Sequence, residues 1–158
     1  MNAIQVFPIG KIENADGNTR IVLQNEYAAG LKELAGYSHA LVLWWMDGCD
    51  NARDRSTRIE RKPYVKWPEE MGVFATRSSR HPNPIAVTSV EIAYVDEASA
   101  AIGAYYIDAC DGSAVLDIKP YTPSIDRIES PSTPQWCAHW PKSCEESGDF
   151  DWGSEFNF

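Results

Sequence analysis

The sequence predicts a mainly β fold: a small closed or partly closed β-barrel with one or two short helices and an extended C-terminal arm. Short segments rich in aliphatic and aromatic residues recur along the chain, and turn-forming residues separate them. Many short strands at such spacing are typical of barrels. No glycine-rich loop joins a strand to a helix, which disfavours a dinucleotide-binding or phosphate-loop fold.

The predicted strands differ in how much of each is buried. Apolar and polar residues alternate over residues 87–95, which indicates a strand with one buried face. Residues 40–46 (ALVLWWM) are continuously apolar, which predicts a strand buried on both faces. Asp16 and Gly17 form a tight-turn signal between the first two strands. In chain order, strands are predicted at residues 5–13, 19–23, 40–46, 73–75, 87–95, 102–107 and 115–118.

One helix is predicted over residues 26–34 (EYAAGLKEL). Tyr27, Leu31 and Leu34 recur at helical spacing and would lie on one face. Gly36 follows at a position that commonly ends a helix. The polar, charged stretch from residue 47 to about residue 70 is predicted to be a loop.

The end of the chain is predicted to be an arm, residues 127–158, attached to a barrel domain of residues 1–126. Its prolines exclude long regular elements, and its many aromatic residues indicate that it packs on the barrel or on a partner subunit rather than being disordered. The expected aromatic anchors are Trp136, Trp140, Phe150, Trp152, Phe156 and Phe158.

Composition limits the partners of this chain. It has 158 residues, enough for one core, and a formal net charge of -9. Such an acidic balance disfavours a large nucleic-acid footprint, because phosphates are bound by Lys and Arg. An acidic chain can still carry a local basic patch, and five basic residues are clustered in this sequence: Arg53, Arg55, Arg58, Arg61 and Lys62.

Targeting signals are not evident in the sequence. No apolar run reaches the length of a membrane span, and the N-terminal residues lack the pattern of a secretion signal. We therefore expect a cytoplasmic protein with no membrane partner.

Residues 72–86 (GVFATRSSRHPNPIA) are the first candidate site. Two prolines flank Asn83, so the backbone is stiff there. Stiff backbone with Arg, Ser and Asn donors suits an anionic or carboxylate-bearing ligand. From residue types alone, a rigid surface turn with solvated charges is the slightly favoured interpretation.

Residues 108–121 are the second candidate site. Asp108 and Asp111 bracket a turn, and Asp117 and Lys119 lie two residues apart, which places them on one face of a strand. This pair either forms a surface ion pair or lines a polar pocket.

Together the two segments resemble the TsaA-like family, also known as TrmO. The strings that carry the resemblance are GVFATRSSRHPNPI and, further along, DGSAVLDIKPY. The earlier stretch NEYAAGLKELAGYSHALVLWW is similar to the family's helix, aromatic-Ser-His and hydrophobic strand. The match extends over residues 9–126.

The resemblance implies a small β-barrel that binds S-adenosylmethionine and forms a homodimer with the site near the subunit interface. The best-known members methylate threonylcarbamoyl-adenosine beside the tRNA anticodon, at N6. This implies a methyltransferase with tRNA as a partner. It also assigns cofactor binding to Asp47, Gly48, Arg77, Ser78, Asn83, Val87, Asp108, Ala109, Cys110, Asp111, Asp117 and Lys119.

The sequence departs from the family at several points. Ser79, His81 and Ala86 stand where the family more often has Pro, Arg and Gly, and Asp47 stands where long members often have His. Residues 9–23 are too few to contain the Pro-Arg-Gln-type cofactor loop of long members. The C-terminal domain of long members, which would add RNA-binding surface, is not expected here.

Three functions remain open from the sequence. A methyltransferase would mainly position its reactants, with Asp47 as the candidate base. A non-catalytic module that binds S-adenosylmethionine or an adenosine metabolite would explain the departures. A metal enzyme using His39, Cys137 and His139 is a third possibility, although no metal site is predicted because the ligands are loosely spaced and lack a fourth member.

Overall fold

A computed structural model describes residues 3–15, 17–66 and 68–157 of the chain. A closed barrel has the strand order β1-β2-β7-β6-β3-β8, and β4 pairs with β5 in a separate hairpin. The strands are β1 Gly10–Ala15, β2 Asn18–Leu23, β3 His39–Trp45, β4 Ile59–Arg61, β5 Glu70–Gly72, β6 Ile85–Asp96, β7 Ala101–Ala104 and β8 Ala114–Pro120. Three short α-helices are described, α1 Ala52–Ser56, α2 Pro123–Asp126 and α3 Cys144–Ser147.

The predicted barrel is confirmed, and its core lies inside the ring of strands. On β3, Ala40, Val42 and Trp44 are buried, while the residues between them are half-buried. The prediction that this strand is buried on both faces was therefore wrong. Its alternate side chains, Leu41 and Leu43 among them, point to the outer face of the barrel, where less protein covers them.

The predicted helix at residues 26–34 is two 3₁₀ segments, Asn25–Leu31 and Leu34–Gly36, rather than one continuous helix. Glu33, between them, has a φ of 67°, a left-handed conformation that interrupts the helix. The apolar face was placed correctly, because Leu31 and Leu34 are both buried against the barrel core.

Several predicted boundaries were also wrong. The first strand begins at Gly10 rather than residue 5. Gly10 lies close to β2, since a Cβ there would be 2.3 Å from the Val22 carbonyl oxygen. Residues 73–75 form a 3₁₀ turn instead of a strand. The loop predicted at residues 47–70 contains α1 and the β4–β5 hairpin. β7 ends at Ala104 rather than residue 107.

All neighbouring strands of the barrel are antiparallel, so its connections alternate between two ends. One end carries the β1–β2 turn, the long connection 46–84 between β3 and β6, and the connection 105–113 between β7 and β8. We call this the loop end. Gly17 has a φ of 77°, as the turn signal requires, whereas Asp16 lies outside the described residues.

The C-terminal segment packs its aromatic residues together around Tyr64, which lies between β4 and β5. The Tyr64 ring stacks on Trp136 at 5.0 Å between centroids and meets Trp140 edge-on at 5.2 Å. Trp152 stacks on Phe156, and Phe156 also contacts Tyr64. Four of the expected aromatic anchors, Trp136, Trp140, Trp152 and Phe156, thus form one cluster with Tyr64, while Phe158 lies outside the described residues. The division into a barrel domain of residues 1–126 and an arm remains a prediction.

Within the described ranges, no helix is long and apolar enough to cross a membrane.

Candidate functional site

The loop end collects most of the residues that the sequence singled out. Asp47 and Gly48 begin the 3₁₀ turn that lies one residue beyond the end of β3. Arg77, Ser78 and Asn83 lie in the last part of connection 46–84, just before β6. The four residues 108–111 lie in connection 105–113. Because β3, β6 and β8 are neighbours in the barrel, these three groups are brought to one side of the same end.

Asn14, at the end of β1, holds connection 105–113 in place. Its amide nitrogen Nδ2 donates to the Ala109 carbonyl oxygen at 2.8 Å, and its backbone N–H donates to Asp111 Oδ1 at 2.9 Å. Thr19 Oγ1 donates in turn to Asn14 Oδ1 at 2.9 Å. Ile107 is buried in the barrel and anchors the other side of the connection. Asp108 and Cys110 are left exposed. Sequence patterns gave no signal for Asn14.

The proline-flanked segment is held by Arg55 of α1. Arg55 Nε donates to the Pro82 carbonyl oxygen at 2.9 Å and Nη2 lies 3.4 Å from Asn83 Oδ1. Its Nη1 pairs with Asp50 Oδ1 at 2.9 Å, which ties the turn after β3 to the same guanidinium. Arg55 belongs to the basic cluster seen in the sequence, but in the structure its guanidinium bonds to other residues of the protein.

Glu60 of β4 holds the preceding part of the same segment. The residue is only 8% exposed. Its Oε1 accepts a hydrogen bond from the Ser78 hydroxyl at 3.0 Å, and its Oε2 lies 3.4 Å from Arg80 Nη1. Arg80 also pairs with Asp54 Oδ1 at 3.6 Å. The hydroxyl of the predicted site residue Ser78 therefore already donates a hydrogen bond within the protein.

The edge of β6 beside Arg77 is open. The ladder with β7 begins only at Ile92, so β6 upstream of that point pairs with β3 alone. Tyr105 N donates to the Glu91 carbonyl oxygen on the β7 side, and alternate residues of a strand direct their backbone groups to the same side. Val87 and Ser89 therefore direct their backbone N–H and carbonyl groups to this open edge. Arg77 Nη2 donates to the Val87 carbonyl oxygen there.

Asp117 and Lys119 lie on the same face of β8, as the period of two predicted, and the structure shows that this is the outer face of the barrel. Lys119 Nζ pairs with Asp117 Oδ2 at 2.8 Å, so the ion-pair interpretation is confirmed. The hydrogen bond that Lys119 donates to Asp117 raises the pKa of Lys119 above its usual value. Asp117 is aligned with Leu43, which is aligned with Val87, so the three side chains form one row across β8, β3 and β6.

Asp47, the candidate base, lies exposed in the 3₁₀ turn that follows β3. Its carboxylate has no hydrogen-bond partner among the described residues. An exposed carboxylate at this position is free to meet a ligand from solvent.

The three residues of the metal hypothesis are not brought together. His39 Nδ1 lies 2.9 Å from Ser38 Oγ at the opposite end of the barrel. Cys137 donates to the Pro134 carbonyl oxygen, and His139 contacts Glu155. Across the part of the chain that the structure describes, no three His, Cys, Asp or Glu side chains form a group that would hold a metal ion.

A shallow cavity of about 300 Å³ lies on β1 and β2, away from the loop end. It is lined by Gly10, Lys11, Val22, Leu23 and Gln24. These residues are at the start of β1 and the end of β2, so this cavity is not part of the candidate site.

Comparison with protein families gives a match over most of the chain. The model of the tRNA-methyltransferase O N-terminal domain matches residues 3–127. The chain belongs to this family. The match ends close to the last residue of α2, so the aromatic C-terminal segment follows the matched region.

Curated relatives agree with this assignment. An S-adenosyl-L-methionine-binding protein of Archaeoglobus fulgidus is 39% identical over 114 residues, which is 72% of this chain and 76% of that protein. The tRNA (adenine(37)-N6)-methyltransferase of Escherichia coli is 32% identical over 127 residues, 78% of this chain and 52% of that enzyme.

Solved structures show the same fold. The crystal structure of TrmO from Pseudomonas aeruginosa superposes with a TM-score of 0.66 at 23% identity, over 85% of this chain and 62% of that chain. The TrmO N-terminal barrel is therefore the fold of this chain. The chain spans about half the length of the Escherichia coli enzyme and less than two thirds of the TrmO structure.

Proposed function

We propose that this chain binds S-adenosylmethionine at the loop end of its barrel and transfers the methyl group to an adenosine of tRNA, at N6. The family match over residues 3–127 carries the proposal. The relatives named as S-adenosyl-L-methionine-binding proteins support the cofactor, and those named as tRNA (adenine(37)-N6)-methyltransferases support the reaction.

The residues at the loop end suit this cofactor chemically. The backbone groups of Val87 and Ser89 at the open edge of β6 offer a donor and an acceptor to an adenine base. Arg77, beside this edge, suits the carboxylate of the methionine part. Asp108 and Asp111 suit a positively charged sulfur. In this arrangement Arg77 exchanges its bond to Val87 for one to the ligand.

Catalysis in this proposal is mainly positioning. When bound, S-adenosylmethionine supplies an electrophilic methyl group on a sulfonium. The chain holds the acceptor nitrogen in line with that group, and alignment of this kind supplies much of the rate enhancement. Asp47, which is exposed and has no hydrogen-bond partner among the residues that the structure describes, accepts the proton that the attacking nitrogen loses.

The acceptor is proposed to approach over Tyr105 and Tyr106. Both side chains are 68% exposed, although β7 before them and Ile107 after them are buried. They lie in the connection that also carries Asp108. Aromatic rings stack on unpaired bases without needing positive charge, which suits a chain with a formal net charge of -9.

A homodimer is proposed to form through the outer face of β3, β6 and β8. Leu41, Leu43 and Val87 form an apolar strip there, and Val87 is 39% exposed. Burial of such a strip against a second copy would remove apolar area from water. The strip adjoins the open edge of β6, so a second copy would lie close to the cofactor site. We also propose a cytoplasmic location, where tRNA is modified.

Titration calorimetry with S-adenosylmethionine tests the binding step. We expect saturable binding, weakened at least tenfold by Arg77→Ala, because the ligand carboxylate would lose its charged partner. The matched control is Lys11→Ala, which lines the remote cavity and should bind as the unaltered protein does. Folded protein that takes up no ligand at millimolar concentration would contradict the proposal.

A non-catalytic binding module is the second candidate. Two observations favour it. Only two residues separate the end of β1 from the start of β2, and Asp47 occupies the position where long family members often have His. Methyl incorporation into tRNA from cells lacking the modification separates the two functions. Binding of S-adenosylmethionine without transfer to any tRNA would support the module instead of the enzyme.

A further inference from the structure

Arg55 stands between the two segments of the proposed site that follow β3 and precede β6. We infer that it is a positioning residue, which holds these segments in the arrangement that binds S-adenosylmethionine. The inference rests on the proposed function, since it concerns the same site. Neither the family match nor the motif strings point to this residue.

Three acceptors from two segments converge on one guanidinium. Asp50 Oδ1 lies 2.9 Å from Nη1, the Pro82 carbonyl oxygen 2.9 Å from Nε, and Asn83 Oδ1 3.4 Å from Nη2. Asp50 follows the candidate base by three residues in sequence, and Asn83 lies two residues before β6. The ladder between β3 and β6 ends at Trp45 and Ile85. The guanidinium therefore joins the turn that follows β3 to the segment that precedes β6, beyond the end of this ladder.

The carboxylate of this cluster is fixed from both sides. The hydrogen bond from Arg55 holds the pKa of Asp50 below its usual value, and the indole N–H of Trp45, at 3.2 Å from Oδ2, adds to this. Trp45 is the last residue of β3. Asp50 is thus tied to the barrel through Trp45 and to the proline-flanked segment through Arg55.

Helix α1 presents the guanidinium at a fixed position. Asn51 caps the helix by accepting a hydrogen bond from the Asp54 backbone N–H at 3.0 Å. The backbone N–H of Arg55 donates to the Asn51 carbonyl oxygen at 3.0 Å, so the capped turn also fixes the backbone of Arg55. From there its side chain reaches the Pro82 carbonyl oxygen. A half-exposed ion pair alone would contribute little to stability. The planar guanidinium of Arg55 instead bonds to three acceptors at once, so it fixes their relative positions.

Substitution of Arg55 tests the inference with a matched control on the same helix. Arg55→Ala should weaken S-adenosylmethionine binding about tenfold, the effect expected when charge-assisted hydrogen bonds are lost. Arg55→Lys keeps the charge but not the fork, and should recover only part of the affinity. Arg53→Ala removes an exposed arginine from the same helix and should bind normally.

Two further measurements separate positioning from general stability. Methylguanidinium ion, added to Arg55→Ala at concentrations that leave the unaltered protein unaffected, should restore affinity by filling the same place. Hydrogen exchange of Arg55→Ala should rise in residues 47–50 and 79–85 and stay unchanged in β1 and β2.

The outcomes are distinct. Unchanged affinity of Arg55→Ala, or equal losses in Arg55→Ala and Arg53→Ala, would overturn the inference. Failure of the unaltered protein to bind S-adenosylmethionine would overturn the proposed function, and the exchange measurement would then still decide whether Arg55 orders the two segments. Exchange that rises throughout the barrel would overturn the positioning role, because it would mean a global loss of stability.

Discussion

Asn14 connects β1 to the connection that follows β7 through both its backbone and its side chain. The two bonds reach Asp111 and the Ala109 carbonyl oxygen, at sequence separations of 97 and 95 residues. A short polar side chain at the end of a strand usually serves a local turn. Here it fixes the segment that carries the acidic residues of the proposed site.

Replacement of Asn14 by Ala should weaken cofactor binding several-fold and lower the free energy of unfolding by about 1–2 kcal/mol, since the Ala109 carbonyl would lose its donor. Calorimetric titration and chemical denaturation measure the two effects. Thr19→Val is the control, because it removes only the hydroxyl that bonds to Asn14 Oδ1. Equal effects of the two substitutions would argue against a special role for the Ala109 contact.

At the scale of elements, the connections decide what the barrel can bind. β7 is buried along its whole length, and the chain then exposes Tyr105 and Tyr106 together before Ile107 returns to the core. Such an arrangement presents two rings on a backbone that is fixed at both sides. It is well suited to contact a flat partner such as a base.

Substitution of both Tyr105 and Tyr106 by Ala should weaken binding of an anticodon stem-loop RNA at least tenfold, because stacking on two rings is lost. Binding of S-adenosylmethionine should stay unchanged. Fluorescence anisotropy with labelled RNA measures the first effect. Tyr37→Ala is the matched control, since Tyr37 is exposed but lies before β3, at the other end of the barrel.

The same double variant also tests whether the two tyrosines lie in a subunit interface instead. Sedimentation of the double variant as a monomer, when the unaltered protein is a dimer, would place the tyrosines in a subunit interface. RNA binding that persists unchanged would equally contradict the stacking role.

Prediction from sequence succeeded for some elements and failed for others for identifiable reasons. β6 was predicted to within two residues because its alternation is a property of the strand itself. The two 3₁₀ segments at residues 25–36 were predicted as one continuous helix. Apolar spacing does not show where a helix is interrupted, and this interruption depends on the left-handed conformation of Glu33. Arg55, Glu60 and Asn14 were missed because their partners are remote in sequence.

At the scale of the whole molecule, the chain has a second packed region beside the barrel. Glu155, only 3% exposed, accepts from Lys66 Nζ at 2.7 Å and Trp140 Nε1 at 3.0 Å, and lies 3.0 Å from His139 Nε2. Asn157 adds bonds to the carbonyl oxygens of residues 62 and 64. Together with the aromatic contacts, these fasten the C-terminal segment to the β4–β5 hairpin.

Acid should loosen this attachment. The hydrogen bonds from Lys66, Trp140 and His139 lower the pKa of Glu155 to about 2, below its usual value of 4.5. A lowered folded-state pKa contributes stability above pH 4.5 that is lost as the pH falls toward 2. Glu155→Gln should therefore be less stable near neutral pH and lose less on acidification over this range, as measured by thermal unfolding at several pH values.

Glu129→Gln is the control, because Glu129 is an exposed carboxylate in the same part of the chain. A Glu155→Gln variant whose melting temperature falls with acid as steeply as that of the unaltered protein would show that this carboxylate does not link the attachment to pH.

Local patterns alone were enough to predict a barrel of short strands and to single out the two candidate segments. Alternation, turn residues and composition act within a few residues of one another, so they are visible in the chain itself. Only the tertiary structure decided which residues meet. Closure of the barrel, with β8 beside both β1 and β3, brings Asp47, Arg77 and Asp108 to one end and leaves Asp117 on the outer face. That outcome depends on strand order and register, which no short stretch of sequence contains.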